Sequence, residues 1–339
     1  MSQNTKVIKI ATFNLLNLVL PNQKYYDNQQ YSTDDYEKKV EWIVYQLKQM
    51  DADIVGFQEV FHKAALQDVL NRSGIYTNAY IAIGNEIGTL PRLAIVSRFP
   101  IEEVEVFEDF LPDSILDVES TDETTKVLIP VTKFSRPVLK VKIKLLDRLS
   151  AYVYVVHLKS KRPMLLDNEN RDNPLHLAKA LSRSLIIRTA EATALRGLLM
   201  QTLWHKKEPV IVMGDVNDSG LSVTTRIISG EPPHRRLPHD VKRNLWDVIL
   251  YHVKDIQARR SYHDFYYTHI HNGHYESLDH IMVSEELVTE NPLHVGKVGY
   301  VSLLNDHLID QTLSNEKPKR WKTDHGIVVC TIELLTDKI

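Results

Sequence analysis

Four separated strand-like segments of this sequence run out into the same kind of ending, an amide, a carboxylate or an imidazole at the last position of an apolar run. They are Phe13-Asn14, Gln58-Glu59, Gly214 to Asn217, and Leu278 to His280; a fifth group, Thr323 to Gly326, stands directly before a strand. Asp and Asn at a strand end are ordinary turn formers, so one such ending says little. Five of them constrain the fold: in a sandwich of sheets, strand ends from distant parts of the chain can converge on one rim and surround a common point.

The remaining pattern supplies such a sandwich. VIKIATF (7–13), DADIVGF (51–57), LAIVS (93–97), VLKVKIKL (138–145), AYVYVVH (151–157), PVIVM (209–213), LDHIMV (278–283) and IVVCTI (327–332) read as buried strands, rich in β-branched and aromatic residues. Between the first two, Val40, Ile43, Val44 and Leu47 have the spacing of an amphipathic helix, with Asp34 and Glu37 in the places of a capping box. Leu177, Leu181, Leu185, Ala192, Leu195, Leu199 and Leu203 mark one stripe of a long helical stretch expected to have a break or a ragged start. The class is α/β or α+β with large sheets.

At 43% hydrophobic and 25% charged residues, 339 residues can bury a sizeable core. No fixed-period repeat or low-complexity linker divides the sequence, so a single domain over 1–339 is expected. The net charge of −3 argues against a protein that coats DNA through bulk positive charge. Cys330, the single cysteine, leaves no intrachain disulfide to form. The N-terminal residues lack the basic flank and apolar stretch of a secretory signal, and no run long enough to span a membrane occurs, so a cytoplasmic protein is expected. Charge is segregated: Glu102 to Thr125 holds ten acidic residues and no basic one, whereas Lys133 to Arg162 holds nine basic residues and one acid, Asp147. With no periodicity to give it a buried face, the acidic stretch around 102–125 is expected to be a solvated loop or insertion.

Asn14, Glu59 and Asp324 are hard oxygen donors suited to Mg²⁺, with Mn²⁺ as a substitute, a cation that keeps several waters and takes one or two protein carboxylates. That is a metal site for phosphate chemistry. ATFNLLN (11–17), DIVGFQEV (53–60), LAIVSRFPI (93–101), VVHLKS (155–160), VIVMGDVND (210–218), SLDHIMVS (277–284) and TDHGIVV (323–329), in this order over nearly the whole chain, resemble the endonuclease/exonuclease/phosphatase superfamily. The resemblance implies a four-layered α/β/β/α sandwich, two mixed sheets flanked by helices. By the same resemblance Asn14, Glu59 and Asp324 match its metal positions. Asp215 matches the aspartate that orients or deprotonates the attacking water, and Asn217 the amide that binds a phosphoryl oxygen. Asp279 matches the carboxylate that holds the imidazole matching His325, and His157 a second imidazole of the deoxyribonuclease branch. Leu16 stands where the abasic-site branch has an aspartate that assists the metal, which speaks against that branch and against a second metal there.

Other residues read more plainly. His280 falls on the strand face opposite Asp279 and is expected to be packed or at the surface. His263, His269, His271 and His274, interleaved with Tyr262, Tyr266, Tyr267 and Tyr275, fit a polar hairpin turning at Asn272-Gly273 that could overhang the site. Lys140, Lys142 and Lys144 alternate with apolar residues as on the solvated face of an edge strand. Lys159, Lys161 and Arg162 follow His157 directly, and Lys317, Lys319, Arg320 and Lys322 approach Asp324; both runs are candidates for lining an anionic cleft. Arg235, Arg236, Lys242 and Arg243 form a further basic loop.

The expected activity is metal-dependent hydrolysis of phosphodiester bonds by an enzyme with nucleic acid as the favoured partner, endonuclease or exonuclease. A hydrolase of small or lipid phosphoesters and a catalytically silent binding protein are the alternatives. A monomer suffices for this reading, and the sequence leaves the oligomeric state open.

Overall fold

Strand β1 (Thr5–Leu18) sends Ile8 and Ile10 to one side and Ala11, Phe13 and Leu15 to the other, and both sets are buried. A strand with two apolar faces must be covered twice, and the rest of the chain does so. The computed structural model describes residues 5–26, 28–85, 88–119, 126–204, 207–232, 236–258 and 266–336, with the side chains of 118, 119 and 126–128 excepted. His263, Tyr262, Arg235 and 120–125 of the acidic stretch lie outside the described residues.

After β1 come α1 (Thr33–Met50), β2 (Ile54–Val60), α2 (Lys63–Ser73), β3 (Tyr80–Ile83), β4 (Arg92–Ser97) and β5 (Ile101–Asp109). A short hairpin of β6 (Asp117–Glu119) and β7 (Lys126–Leu128) precedes β8 (Lys133–Leu146) and β9 (Leu149–His157). Next are α3 (Pro174–Leu203), β10 (Val210–Asp215), α4 (Val223–Ser229), α5 (His239–Trp246), β11 (Tyr251–His252) and α6 (Val253–Ala258). A second hairpin, β12 (His269–His271) and β13 (His274–Glu276), leads to β14 (Asp279–Val283), β15 (Gly296–Leu304) and β16 (Ile327–Leu335). One six-stranded sheet has the order β15-β16-β1-β2-β4-β3 and the other β11-β14-β10-β9-β8-β5. Each is mixed: β1 is parallel to β2 and antiparallel to β16, and β10 is parallel to β9 and antiparallel to β14.

Ile8, Ile10, Ile54 and Ile95 of the first sheet meet Val141, Val153, Val155, Ile211 and Met213 of the second in one core. The sheets approach closely at Gly56, where a Cβ would stand 2.7 Å from Sδ of Met213, so a larger residue there would push the layers apart. On the far face of the first sheet Phe13, Val55 and Phe57 pack with Val40, Ile43 and Leu47 of α1 and Leu66 and Val69 of α2. Tyr154, Val156 and Val212 pack with Leu195, Leu198 and Leu199 of α3 on the far face of the second. This is the expected α/β/β/α sandwich.

Several local expectations change. Helix α1 is capped by Ser32, whose side chain accepts from the N–H of Asp35, and Glu37 pairs with Arg72 of α2 in place of closing a capping box. Helix α3 is continuous from its Asn173 cap through Leu203, and only the later part of the leucine stripe is buried; Leu181 and Leu185 are exposed because α3 runs past the sheet there. The first part of the acidic stretch is the edge strand β5, paired with β8. Glu105 and Glu103 stand beside Lys140 and Lys142 in that ladder, so the lysines lie one strand in from the edge, half-covered, with Lys140 over the ring of Tyr152. Complementary charge across a ladder is what the segregated charges of the sequence build.

Candidate functional site

Alternation along the strands places the first group of side chains. In β9, β10 and β14 the residues facing the first sheet are Val153 and Val155, Ile211 and Met213, and Ile281 and Val283. Two more steps bring His157, Asp215 and Asp279 to the same face at the rim, because strand side chains alternate with period two. Asp215 is registered against His157 on one side and Asp279 on the other. Asn14 continues the inward parity of Ile8 and Ile10 in β1, and its Nδ2 donates to Oδ2 of Asp215 across the gap between sheets at 3.2 Å. All four are buried.

Irregular backbone places the rest. Glu59 has φ of 65° where the pairing of β2 with β4 shifts register, which turns its side chain out of strand alternation. Its Oε2 accepts from the N–H of Asn17 at 3.0 Å, and its Oε1 lies 4.0 Å from Nε2 of His157. Gly214 has φ of 145°, and a Cβ there would stand 2.0 Å from the carbonyl oxygen of Val156, so glycine is required just before Asp215. Asn217, at φ of 56°, donates its N–H to Oδ1 of Asp215 at 2.8 Å and its Nδ2 to the carbonyl of Leu158 at 3.0 Å. His325 sits on the loop before β16, with Nδ1 2.8 Å from Oδ2 of Asp279 and Nε2 3.8 Å from Oδ2 of Asp215. Nε2 of His157 lies 3.3 Å from the same Asp215 oxygen.

The charges settle accordingly. Burial works to raise the Asp215 carboxyl, but His325 and His157 outweigh it and hold the group well below the usual carboxylate range. Burial raises Asp279, against the pull of His325. Burial would neutralise His325, yet Asp279 and Asp215 hold its ring well above the ordinary histidine value. Thr268 supports the pair by accepting, at its Oγ1, from the N–H of Leu278 and of Asp279.

Asp324 is exposed beside His325. One of its carboxylate oxygens, a ring nitrogen of His325 and a ring nitrogen of His269 lie within 4.8 Å of one another. The residues singled out from the sequence as catalytic or metal-binding therefore gather at one rim. The basic run after His157 divides. Lys159 is half-buried, pulled down by burial and by Arg136. Nζ of Lys161 is taken by Glu276 at 2.8 Å and lies 3.7 Å from Asp218. Arg162 is exposed. Of the run before Asp324, Arg320 lies over the ring of Tyr31, while Lys319 and Lys322 lie near Trp321.

Sequence reasoning missed four residues here. His269, set aside as part of a polar hairpin, donates from Nδ1 to the carbonyl of Asp324 at 3.0 Å, with its ring 5.2 Å from that of His325. The hairpin itself is as expected, with Asn272 and Gly273 both at positive φ. Arg136 of β8 donates to the carbonyl of Leu158, and near it Tyr26 has its hydroxyl raised by burial and by Glu59, with Arg136 and Arg162 opposing. Lys39 of α1 is fully buried, and its Nζ donates to the carbonyl of Leu16 at 2.9 Å. His280 is packed as expected, with Nε2 donating to the carbonyl of Asp218.

The signature of the Endonuclease/Exonuclease/phosphatase family matches residues 11–325. The chain belongs to that family. The fold is shared with the human Nocturnin catalytic domain, solved with a bound sulfate anion, at 14% identity and a TM-score of 0.57, covering 98% of this chain and 96% of that one. Truncated TDP2 from Caenorhabditis elegans matches at 15% identity and a TM-score of 0.55, over 96% and 97% of the two chains. TDP2 from D. rerio, complexed with single strand DNA product, matches at 14% identity and a TM-score of 0.54, over 96% and 99%. No curated protein matches the chain by sequence. No helix among the described residues is long and apolar enough to cross a membrane.

Proposed function

We propose that this family member is a divalent-metal-dependent phosphodiesterase, with nucleic acid as its favoured substrate. One observation carries the reading: an ionised Asp215 bridged to Asn14 and faced by two imidazoles, one of them clamped by a second buried carboxylate.

Asn14, Glu59 and Asp324 are the residues that would hold the metal. The donor set fits a hard cation: an amide oxygen, a partly exposed carboxylate and an exposed carboxylate, with no thiolate. Bound there, Mg²⁺ or Mn²⁺ would supply Lewis-acid neutralisation of a phosphoryl oxygen. The chain's own groups do the rest. Asp215, held charged, orients a water through one carboxylate oxygen and accepts its proton, while Asn14 and the N–H of Asn217 fix its plane. Asp279 keeps the His325 imidazolium turned towards the phosphate, where its charge opposes the negative charge building on the non-bridging oxygens. His157 and the Asn217 amide add donors on the other side. Tyr26, exposed beside Arg136, offers a face on which a base could stack.

A small phosphoester as substrate is favoured by one feature: Lys161 is already neutralised by Glu276 and Asp218, which shortens the basic track that a polymeric backbone would use. Both readings are tested by removing metal with chelator, restoring Mg²⁺ or Mn²⁺, and comparing a bis-aryl phosphate with duplex DNA, single-stranded DNA, RNA, a lysophospholipid and an inositol phosphate. No metal-restored hydrolysis of any of these would sink the enzymatic reading, and turnover of only the small esters would remove nucleic acid.

A further inference from the structure

We propose that Lys39 is a positioning residue for the candidate metal site, acting through the turn at Leu16 and Asn17. The inference rests on the assignment of Asn14 and Glu59 as metal ligands. Lys39 belongs to α1, an element that packs against the first sheet mainly with apolar residues. Its side chain is wholly buried, and its Nζ donates to the carbonyl of Leu16 at 2.9 Å while lying 5.3 Å from the centre of the Tyr31 ring. The Tyr31 hydroxyl has the same carbonyl as its nearer acceptor, at 3.3 Å, with that of Arg320 at 3.5 Å. Two donors from the core thus hold one backbone oxygen.

That oxygen belongs to a strained turn. Leu16 and Asn17 have φ of 47° and 61° in succession, a conformation that residues with a Cβ rarely adopt unless something holds them there. The turn touches both candidate ligands: the N–H of Leu16 donates to Oδ1 of Asn14 at 3.0 Å, and the N–H of Asn17 donates to Oε2 of Glu59 at 3.0 Å. Released, the turn would relax towards extended backbone and withdraw both N–H groups, leaving the Asn14 amide free to rotate and the Glu59 carboxylate free to swing. Burial pulls the Lys39 ammonium down to about 7, with Glu59 and Asp324 opposing the fall and Arg320 adding to it. The clamp does not depend on that charge, since an amine and an ammonium both donate to a carbonyl. Burying so polar a group where α1 could carry an apolar one is costly, and the two hydrogen-bonded ligands are what the arrangement secures.

Lys39→Met keeps the length and removes the donor. In metal-free protein, hydrogen exchange at the Leu16 and Asn17 amides should accelerate at least tenfold, while the amides of Val40 to Leu47 in α1 keep their protection. Titration with Mn²⁺, followed by electron paramagnetic resonance, should give a Kd raised at least tenfold, and kcat should recover as Mn²⁺ is raised, which a lysine that merely fills the core would not produce. Unchanged exchange at Leu16 and Asn17 overturns the proposal whatever the metal does; accelerated exchange with an unchanged Kd overturns the link to the metal site. If the wild-type protein binds no Mn²⁺, the ligand assignment has failed, and the exchange data still decide whether Lys39 holds the turn. Should Lys39→Met not fold, Tyr31→Phe removes the other donor and is read in the same way, with about threefold effects expected and no change at either readout counting against the clamp.

Discussion

Nδ1 of His325 lies 2.8 Å from Oδ2 of Asp279, joining the loop before the last strand to the rim of the other sheet. The carboxylate fixes which ring nitrogen faces Asp215 and keeps the ring cationic. Asp279→Asn preserves the shape but lowers the charge, so kcat should fall by about 10²–10⁴, the range of a positioned acid–base group. The sign of the pH effect follows from the direction of the shift: the partner that raises the His325 value is lost, so the alkaline limb of the kcat profile should move to lower pH. A profile unchanged in height and midpoint would mean that the pair plays no part in turnover.

Glu59→Gln exchanges a charged oxygen donor for a neutral one of equal size. Metal affinity should drop at least tenfold, by analogy with the loss of other ligand-supporting groups, while the fold stays intact because Glu59 sits at the partly exposed rim. Calorimetric titration with Mn²⁺ beside a thermal melt separates the two effects. Wild-type affinity in this variant would remove Glu59 from the metal site.

The sandwich and half of the site are legible in the sequence through strand alternation, whereas Glu59, Asn217, Asp324 and His325 are legible through the motifs and the family resemblance. Ile8 and Ile10 place Asn14, Val153 and Val155 place His157, and Ile211 and Met213 place Asp215, all by period two. Glu59 lies off that pattern: its aim depends on a positive φ at a register shift, which composition does not announce. Lys39 was hidden for a different reason. It sits next to Val40 in a helix whose apolar stripe reads clearly, and a lysine beside such a stripe is usually a solvated flank; only the position of the Leu16 carbonyl draws it inward. His269 and Arg136 come from a hairpin and from a strand two away from Asp215, so their arrival depends on tertiary packing. The edge strand β5 was masked by its charge, which its partner lysines neutralise.

The basic run after His157 can be divided by salt. Lys161 is held by Glu276 and Asp218, whereas Arg162 is exposed beside Tyr26 and Lys159. If a nucleic-acid backbone crosses this edge, Arg162→Ala should flatten the slope of log K against log salt by about 0.9 on duplex or about 0.7 on a single strand. Lys161→Ala should change it by less, and hydrolysis of a bis-aryl phosphate should stay near wild type in both. Equal slopes in all three proteins would count against backbone contacts here; an equal loss on both substrates would mean that the side chains support the site itself.

Stability in mild acid should depend in part on a pair behind the site. His252 and His280 are buried on the outer face of β11 and β14 with ring centroids 5.0 Å apart, and both nitrogens of His252 and Nδ1 of His280 lack hydrogen-bond partners among the described residues. Burial pulls His252 down to about 4, with Lys254 adding to it. Burial and the neighbouring His252 pull His280 down to about 3, with Lys254 again adding to the effect and the Asp218 carbonyl and Asp215 opposing it. In the unfolded chain both rings titrate near 6.5. Between about pH 6 and pH 4 the unfolded state therefore binds two protons that the folded state refuses, so their contribution is whole above 6.5 and is lost as pH falls towards the folded values. His325 has the opposite sign, but its raised value puts its loss above this window, where it is protonated in both states. Two protons correspond to about 2.7 kcal/mol per pH unit near pH 5, and Glu286, which burial raises to about 7, takes up a proton on folding in the same range and offsets about one of the two. Urea denaturation of metal-free protein at intervals from pH 7 to pH 4.5 measures that slope. His252→Leu removes one of the two groups and should lower the slope by about 1.4 kcal/mol per pH unit, while leaving stability at pH 7 near or above wild type, since an unpaired buried polar ring is replaced by an apolar side chain. If the variant keeps the wild-type slope, His252 is not among the groups that set acid stability, and the carboxylates must account for it.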